Sequence, residues 1–441
     1  MTDEASQGAD AGGVRMLRML LGGSDRSVKL AAGSAFSIRI TNAAITYITH
    51  IIMARWMGAY EFGIFVYVWT WVLIVGVVSD LGFAITAQRV IPAYLQRKQH
   101  DLVRGFIQSS RWMPGICISA LSLAAALVIW LVGDWLDAYL VAPLLLACMV
   151  LPPYGITYAQ DGASRAFGWI NLALVPGYII RPLLLLAILI LFVALGFEID
   201  ATYAMWAGVL STWLTAVGQI AVFETRVRKR IEPGPSSYER RDWVVSSFPI
   251  LLASLFQFML SYVGVLLLQV YSTPEDIAVF YTATKLTAII SMVYFSVAAS
   301  VAYRFAALNA AGDRQGLRAF YRNSIKWTFW PTLLVSGVII VLGRPLLWLF
   351  GEEFMSGYSL VLVITAGLVL RAAIGPGEQV LNMMGRQRVC AAIYCVALVV
   401  NLLLCMTFIT DFGAMGAAAA TTASIALETL LLHFAVGRLI A

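Results

Sequence analysis

Charge is scarce in this chain. Asp, Glu, Lys and Arg make up 12% of its 441 residues, while apolar side chains make up 61%. Soluble domains are about 25% charged and about 45–50% apolar. Too little polar surface remains to face water, which excludes a cytosolic enzyme, a secreted scaffold and a disordered chain together. Histidine is nearly missing: His50, His100 and His433 are scattered and not spaced as ligands. The cysteines, Cys117, Cys148, Cys390, Cys395 and Cys405, lie in apolar runs without a CxxC pair. They read as packing residues, with no metal site or disulfide framework expected. No Gly directly precedes a Lys, so the GxxxxGK[ST] phosphate loop is lacking, as are HExxH and GxSxG. A non-enzymic chain without cofactors is the expectation.

What is present is long apolar runs, giving a mean hydropathy of +0.83. A spanning helix needs about 20 mostly apolar residues. Twelve such runs are read, at about 30–54, 62–83, 109–132, 138–158, 170–195, 202–223, 246–271, 277–302, 326–350, 357–375, 389–410 and 413–436. Pro152, Pro153, Pro176 and Pro182 predict kinks in the fourth and fifth. With the N-terminus cytoplasmic, nearly all Lys and Arg outside the spans fall in inside segments, and the outside turns hold only Arg55 and Arg344. An error in one span would invert every later loop, so the bias supports twelve spans with both termini cytoplasmic. The net charge of +6 therefore reports topology, and no nucleic-acid partner is expected.

The organisation reads as a cytoplasmic tail at 1–27, an N-lobe at 28–223, a charged linker at 224–242, a C-lobe at 243–437 and a short cytoplasmic tail at 438–441. Within the first tail, Arg15, Arg18 and their apolar neighbours suit an interfacial helix. The halves echo each other. Arg104-Gly105-Phe106 followed by Arg111-Trp112 recurs as Arg318-Ala319-Phe320 followed by Lys326-Trp327. Two six-helix lobes in one orientation form a parallel repeat, with the substrate site expected between them.

Cations inside spans are costly, about 2.5–3.5 kcal/mol at the bilayer centre, and usually face a wet cavity. Arg39, Asn42, Thr46 and Thr49 share one face of the first helix and are read as cavity-lining. Ser247, Ser254, Gln257 and Ser261 form the equivalent stripe on the seventh. Lys285 and Arg181 are further lining candidates, Arg181 also being placed to bond carbonyls freed by Pro182. Arg371 is expected to extend to the cytoplasmic surface. Glu428 and Asp80 are the candidates for coupling to a cation, or for pairing with Arg39.

Three motifs carry a family resemblance. Ala54-Arg55-Trp56-Met57-Gly58-Ala59-Tyr60-Glu61-Phe62-Gly63 resembles the turn after the first helix of lipid-linked oligosaccharide flippases. Ser79-Asp80-Leu81-Gly82-Phe83, with Gln88-Arg89, is similar to their second-helix end, and Asp411 to Thr422 to their entry into helix twelve. The family is that of O-antigen and exopolysaccharide repeat-unit flippases, in the multidrug/oligosaccharidyl-lipid/polysaccharide (MOP) superfamily. The resemblance implies an all-α, MATE-like integral membrane protein. Its two six-helix lobes would form an inverted V, with helices one, two, seven and eight around a cavity that opens by alternating access.

It further implies an undecaprenyl-pyrophosphate-linked oligosaccharide as substrate, a proton or sodium gradient as drive, and the bacterial inner membrane as location. Membrane lipids and the polysaccharide polymerase and export machinery would be its partners. Two alternatives stand beside it. A cation-coupled multidrug antiporter of the same superfamily would need deep acidic residues in the N-lobe. A membrane glycan polymerase or ligase would need a long outer loop.

Overall fold

The computed structural model describes residues 25–440, and every regular element is a helix. The interfacial helix expected within 1–27 lies almost wholly outside the described residues. Asp25–Ser79 divides at Gly58 into α1 (25–57) and α2 (59–79). Gly58 has φ 74°, a left-handed value that glycine adopts without steric penalty. The chain reverses there. The His50 and Phe62 rings are 5.8 Å apart, whereas a straight helix would separate them by about 18 Å. α3 (Phe83–Gln96) continues the second crossing. α4 (His100–Val132), α5 (Ala138–Ala166), α6 (Ile170–Val175), α7 (Arg181–Ala194) and α8 (Ala201–Arg230) complete the N-lobe.

The C-lobe holds α9 (Arg240–Tyr271), α10 (Pro274–Ala310), α11 (Arg314–Trp348), α12 (Tyr358–Ile374) and the short α13 (Gly377–Met383). Gln387–Ile440 then divides at Gly413 into α14 (387–412) and α15 (414–440). Ser424 donates to the Ala397 carbonyl at 3.0 Å, against about 40 Å in a straight helix. Among the described residues, ten helical stretches are long and apolar enough to cross a membrane. Two of them double back at these glycines, so the twelve expected crossings are present.

Local chemistry sets several boundaries. Asp200 caps α8 by accepting from the Tyr203 amide at 2.7 Å, and Asp313 caps α11 by accepting from Gly316 at 2.7 Å. Arg228, Lys229 and Arg230 occupy the last turn of α8, where cations suit the helix dipole. A π-helical turn, Pro176–Ile180, separates α6 from α7, matching the proline-based expectation of a kink.

The repeat is visible in the packing. Phe106 is buried in a cluster with Phe83 and Phe167 of the N-lobe and Trp243 of α9, and Phe320 in a C-lobe cluster with Phe305 and Tyr321. Part of the stretch read as linker is helical, since α8 runs to Arg230. The rest is strapped to the N-lobe. Arg104 donates to the carbonyls of Pro235 and Glu232, both at 2.9 Å, and Tyr238 donates to Gln108 at 2.6 Å.

The lobes close on each other at the Gly58 end. Arg55 on α1 donates to the Leu349 carbonyl at 2.8 Å and the Trp348 carbonyl at 2.5 Å, at the C-terminal end of α11. Glu353 accepts from the Ala59 amide at 3.0 Å. Gly63 lies so close to Pro274 that a Cβ would sit 1.8 Å from its carbonyl oxygen. Met53, Phe62 and Phe65 share one core with Tyr281, Phe350 and Phe354 of the other lobe.

Candidate functional site

Below that seam the lobes enclose a cavity of about 530 Å³. The polar stripe of α1 faces it: Arg39, Asn42, Thr46 and Thr49 all line the wall. Thr49 satisfies its hydroxyl on the Ile45 carbonyl at 2.8 Å, and Thr46 leans on Asn42 at 3.4 Å. Arg39 is exposed and takes part in no ion pair among the described residues. It lies about 24 Å along α1 from Arg55, at the end of the cavity away from the seam.

Two more of the expected cations, Arg181 and Lys285, line the same cavity. The Arg181 guanidinium sits 4.8 Å from the Tyr154 ring centroid. Lys285, from α10, has its ammonium 4.8 Å from the Tyr281 ring and 5.7 Å from Tyr262. Aromatic faces attract cations without neutralising them, so both charges stay available to an anion.

The α9 stripe behaves differently. Among the described residues, Phe258 and Tyr262, one position on from Gln257 and Ser261, are the α9 residues that line the cavity. Ser247 is buried against Thr86 of α3 at 2.6 Å, and Ser254 lines a separate side pocket of about 110 Å³. Ser261 is not among the lining residues, and the Gln257 side chain lies outside the described residues. Hydroxyls also serve close packing between helices, and here Ser247 does that.

Asp80 and Glu428 sit apart from Arg39. Asp80 accepts from the Gly82 and Ala84 amides at 3.0 and 2.9 Å, capping α3. Glu428 pairs with Arg371 at 3.2 Å deep in the C-lobe, with Glu378 at 3.9 Å from the same guanidinium. Arg371 therefore does not reach the surface; it is held inward, also over the Tyr294 and Phe295 rings.

The largest difference lies on α5. The apolar run ends near residue 158, yet the helix continues to Ala166. Tyr154, Tyr158, Asp161 and Arg165 then fall at i, i+4, i+7 and i+11 on one face, and all line the cavity. Gln219 of α8 donates to Asp161 at 2.6 Å. The helical spacing of these four residues is legible in the sequence once the helix is extended.

Comparison with known proteins places the chain. The family model for polysaccharide biosynthesis protein matches residues 31–303. The chain belongs to that family. The MatE model also matches residues 249–407. A Haloferax volcanii protein named "Probable low-salt glycan biosynthesis flippase Agl15" is 24% identical over 420 residues, covering 92% of this chain and 81% of that protein. In fold, the chain is similar to an inward-facing multidrug resistance MATE family transporter of the MOP superfamily. The TM-score is 0.74 at 14% identity, over 92% of this chain and 97% of that one. It is also similar to the lipid II flippase MurJ in an inward closed conformation, with TM-score 0.70 at 13% identity, over 91% and 87%. The polysaccharide biosynthesis family member described here is thus a multi-pass membrane protein with the MOP fold.

Proposed function

We propose that this protein flips a lipid-linked oligosaccharide, an undecaprenyl-pyrophosphate-linked O-antigen or exopolysaccharide repeat unit, from the cytoplasmic to the outer leaflet by alternating access. One observation carries the reading. Among the described residues, the cavity between the lobes is lined by four cations, Arg39, Arg165, Arg181 and Lys285, against one carboxylate, Asp161. Such a wall attracts a pyrophosphate and repels the cationic substrates of a multidrug antiporter. The prenyl tail can stay in lipid, whereas sugars and pyrophosphate cannot cross about 30 Å of hydrocarbon unaided. Guanidinium and ammonium groups would replace the water lost by the phosphates with charge-assisted hydrogen bonds. The glycan flippase relative supports the same substrate class.

On this reading the positive loops are cytoplasmic and the protein sits in the bacterial inner membrane. The Gly58 seam is then the closed outer gate, and the Arg39 end is the entry. A proton or sodium gradient drives the cycle, and the delivered unit passes to polymerase and export machinery. In a strain lacking the protein, undecaprenyl-linked repeat units should accumulate on the cytoplasmic side, measured by lipid extraction and mass spectrometry. Normal lipid-linked intermediates with normal surface glycan would refute it.

A further inference from the structure

We propose that the α5–α8 wall of the cavity is a sugar-binding subsite, separate from the phosphate-binding cations, that selects a neutral, hydroxyl-rich sugar through Asp161. This rests on the lipid-linked glycan reading above and adds to it the class of sugar.

Asp161 is the anomaly of the cavity. A carboxylate taken out of water costs several kcal/mol unless something answers it. Arg165 is one turn away on the same face, yet among the described residues Asp161 pairs with neither it nor Arg181. Its partner is instead a neutral amide. Gln219, 3% exposed, donates from α8 to one carboxylate oxygen at 2.6 Å. That contact fixes the carboxylate's orientation without neutralising it. A carboxylate has two oxygens with about four acceptor positions, so capacity remains for donors from a ligand. Two neighbouring sugar hydroxyls supply donors at the matching spacing.

The surroundings fit the same ligand. Tyr158 stands on the Asp161 face of α5 and lines the cavity, offering its ring to the C–H face of a pyranose. Asp161 and Arg165 also border the side pocket of about 110 Å³, which leaves room for a ring substituent. An acidic sugar would place its own carboxylate against Asp161 and be repelled. A site built to bond hydroxyls discriminates strongly against ligands that lack them or cannot present them.

The test uses the purified full chain in nanodiscs with three probes: undecaprenyl pyrophosphate, its N-acetylglucosamine conjugate and its glucuronic acid conjugate. The wild type should bind the N-acetylglucosamine lipid about tenfold or more tighter than either of the others. Asp161→Asn, which keeps the side chain's shape, should reduce both ratios to about threefold or less, because the sugar hydroxyls lose their charged acceptor. Gln219→Leu should lower the first ratio in the same way, and Arg39→Ala should weaken all three probes in parallel. Equal wild-type binding of the bare and N-acetylglucosamine lipids would overturn the sugar subsite and leave the phosphate reading standing. So would an Asp161→Asn protein whose ratios are unchanged, or one that weakens all three probes alike. Failure of the wild type to bind any probe would remove the phosphate-lipid reading and this inference with it.

Discussion

Arg39→Ala is expected to lower glycan export roughly ten- to hundredfold while leaving the protein folded and inserted. A hydrogen bond to a charged group contributes about 1.5–3 kcal/mol, which is that range of rate at limiting substrate. Arg39 can be removed without structural damage because it is exposed in the cavity wall and holds no ion pair among the described residues. The two acids that could have paired with it are engaged elsewhere: Asp80 caps α3 and Glu428 binds Arg371. Arg39→Lys should retain part of the activity, since ammonium supplies charge without the planar fork that matches phosphate oxygens. Export assays paired with thermal melting of the purified variants check this. Unchanged export by a stable Arg39→Ala protein would remove it from the site.

The second large effect is on stability and lies in the C-lobe. Arg371→Met strands Glu428, 2% exposed, without its counter-charge. Breaking a buried pair by removing one partner costs about 3–5 kcal/mol, whereas replacing both with apolar residues is often neutral. Arg371→Met should therefore melt well below the wild type, and Arg371→Met with Glu428→Met should recover most of the loss. Glu428→Gln should be milder, because Glu378 still faces the guanidinium at 3.9 Å. If Glu428 instead couples transport to a cation, Glu428→Gln would abolish gradient dependence with melting unchanged. Melting and gradient-driven transport on the same preparations separate the two roles.

The membrane spans were legible because hydrocarbon thickness and loop charge act on every segment independently, and a missed span would have inverted all later loops. The α1 stripe was legible for a similar reason. An arginine, an asparagine and two threonines at helical spacing would all be costly against lipid, and a wet wall accommodates the four together. The α5 wall was hidden by the same logic. Asp161 and Arg165 lower local hydropathy, so a helix that lines a wet cavity reads like the end of a span. The serines of the α9 stripe divide, because hydroxyls serve packing as readily as ligands: Ser247 packs against Thr86, Ser254 lines the side pocket, and Phe258 and Tyr262 line the main cavity. Arg371 looked like a surface anchor because its partner Glu428 is remote in sequence and meets it only through packing of α12 against α15.

The most direct measurement is translocation in proteoliposomes holding the purified chain and a fluorescent undecaprenyl-pyrophosphate-linked oligosaccharide, read by a membrane-impermeant quencher. Wild-type protein should move the headgroup across the bilayer, and Arg39→Ala should slow that movement roughly ten- to hundredfold. No movement of this lipid by the wild type, with gradient-driven export of a cationic dye from the same vesicles, would contradict the account and support the antiporter.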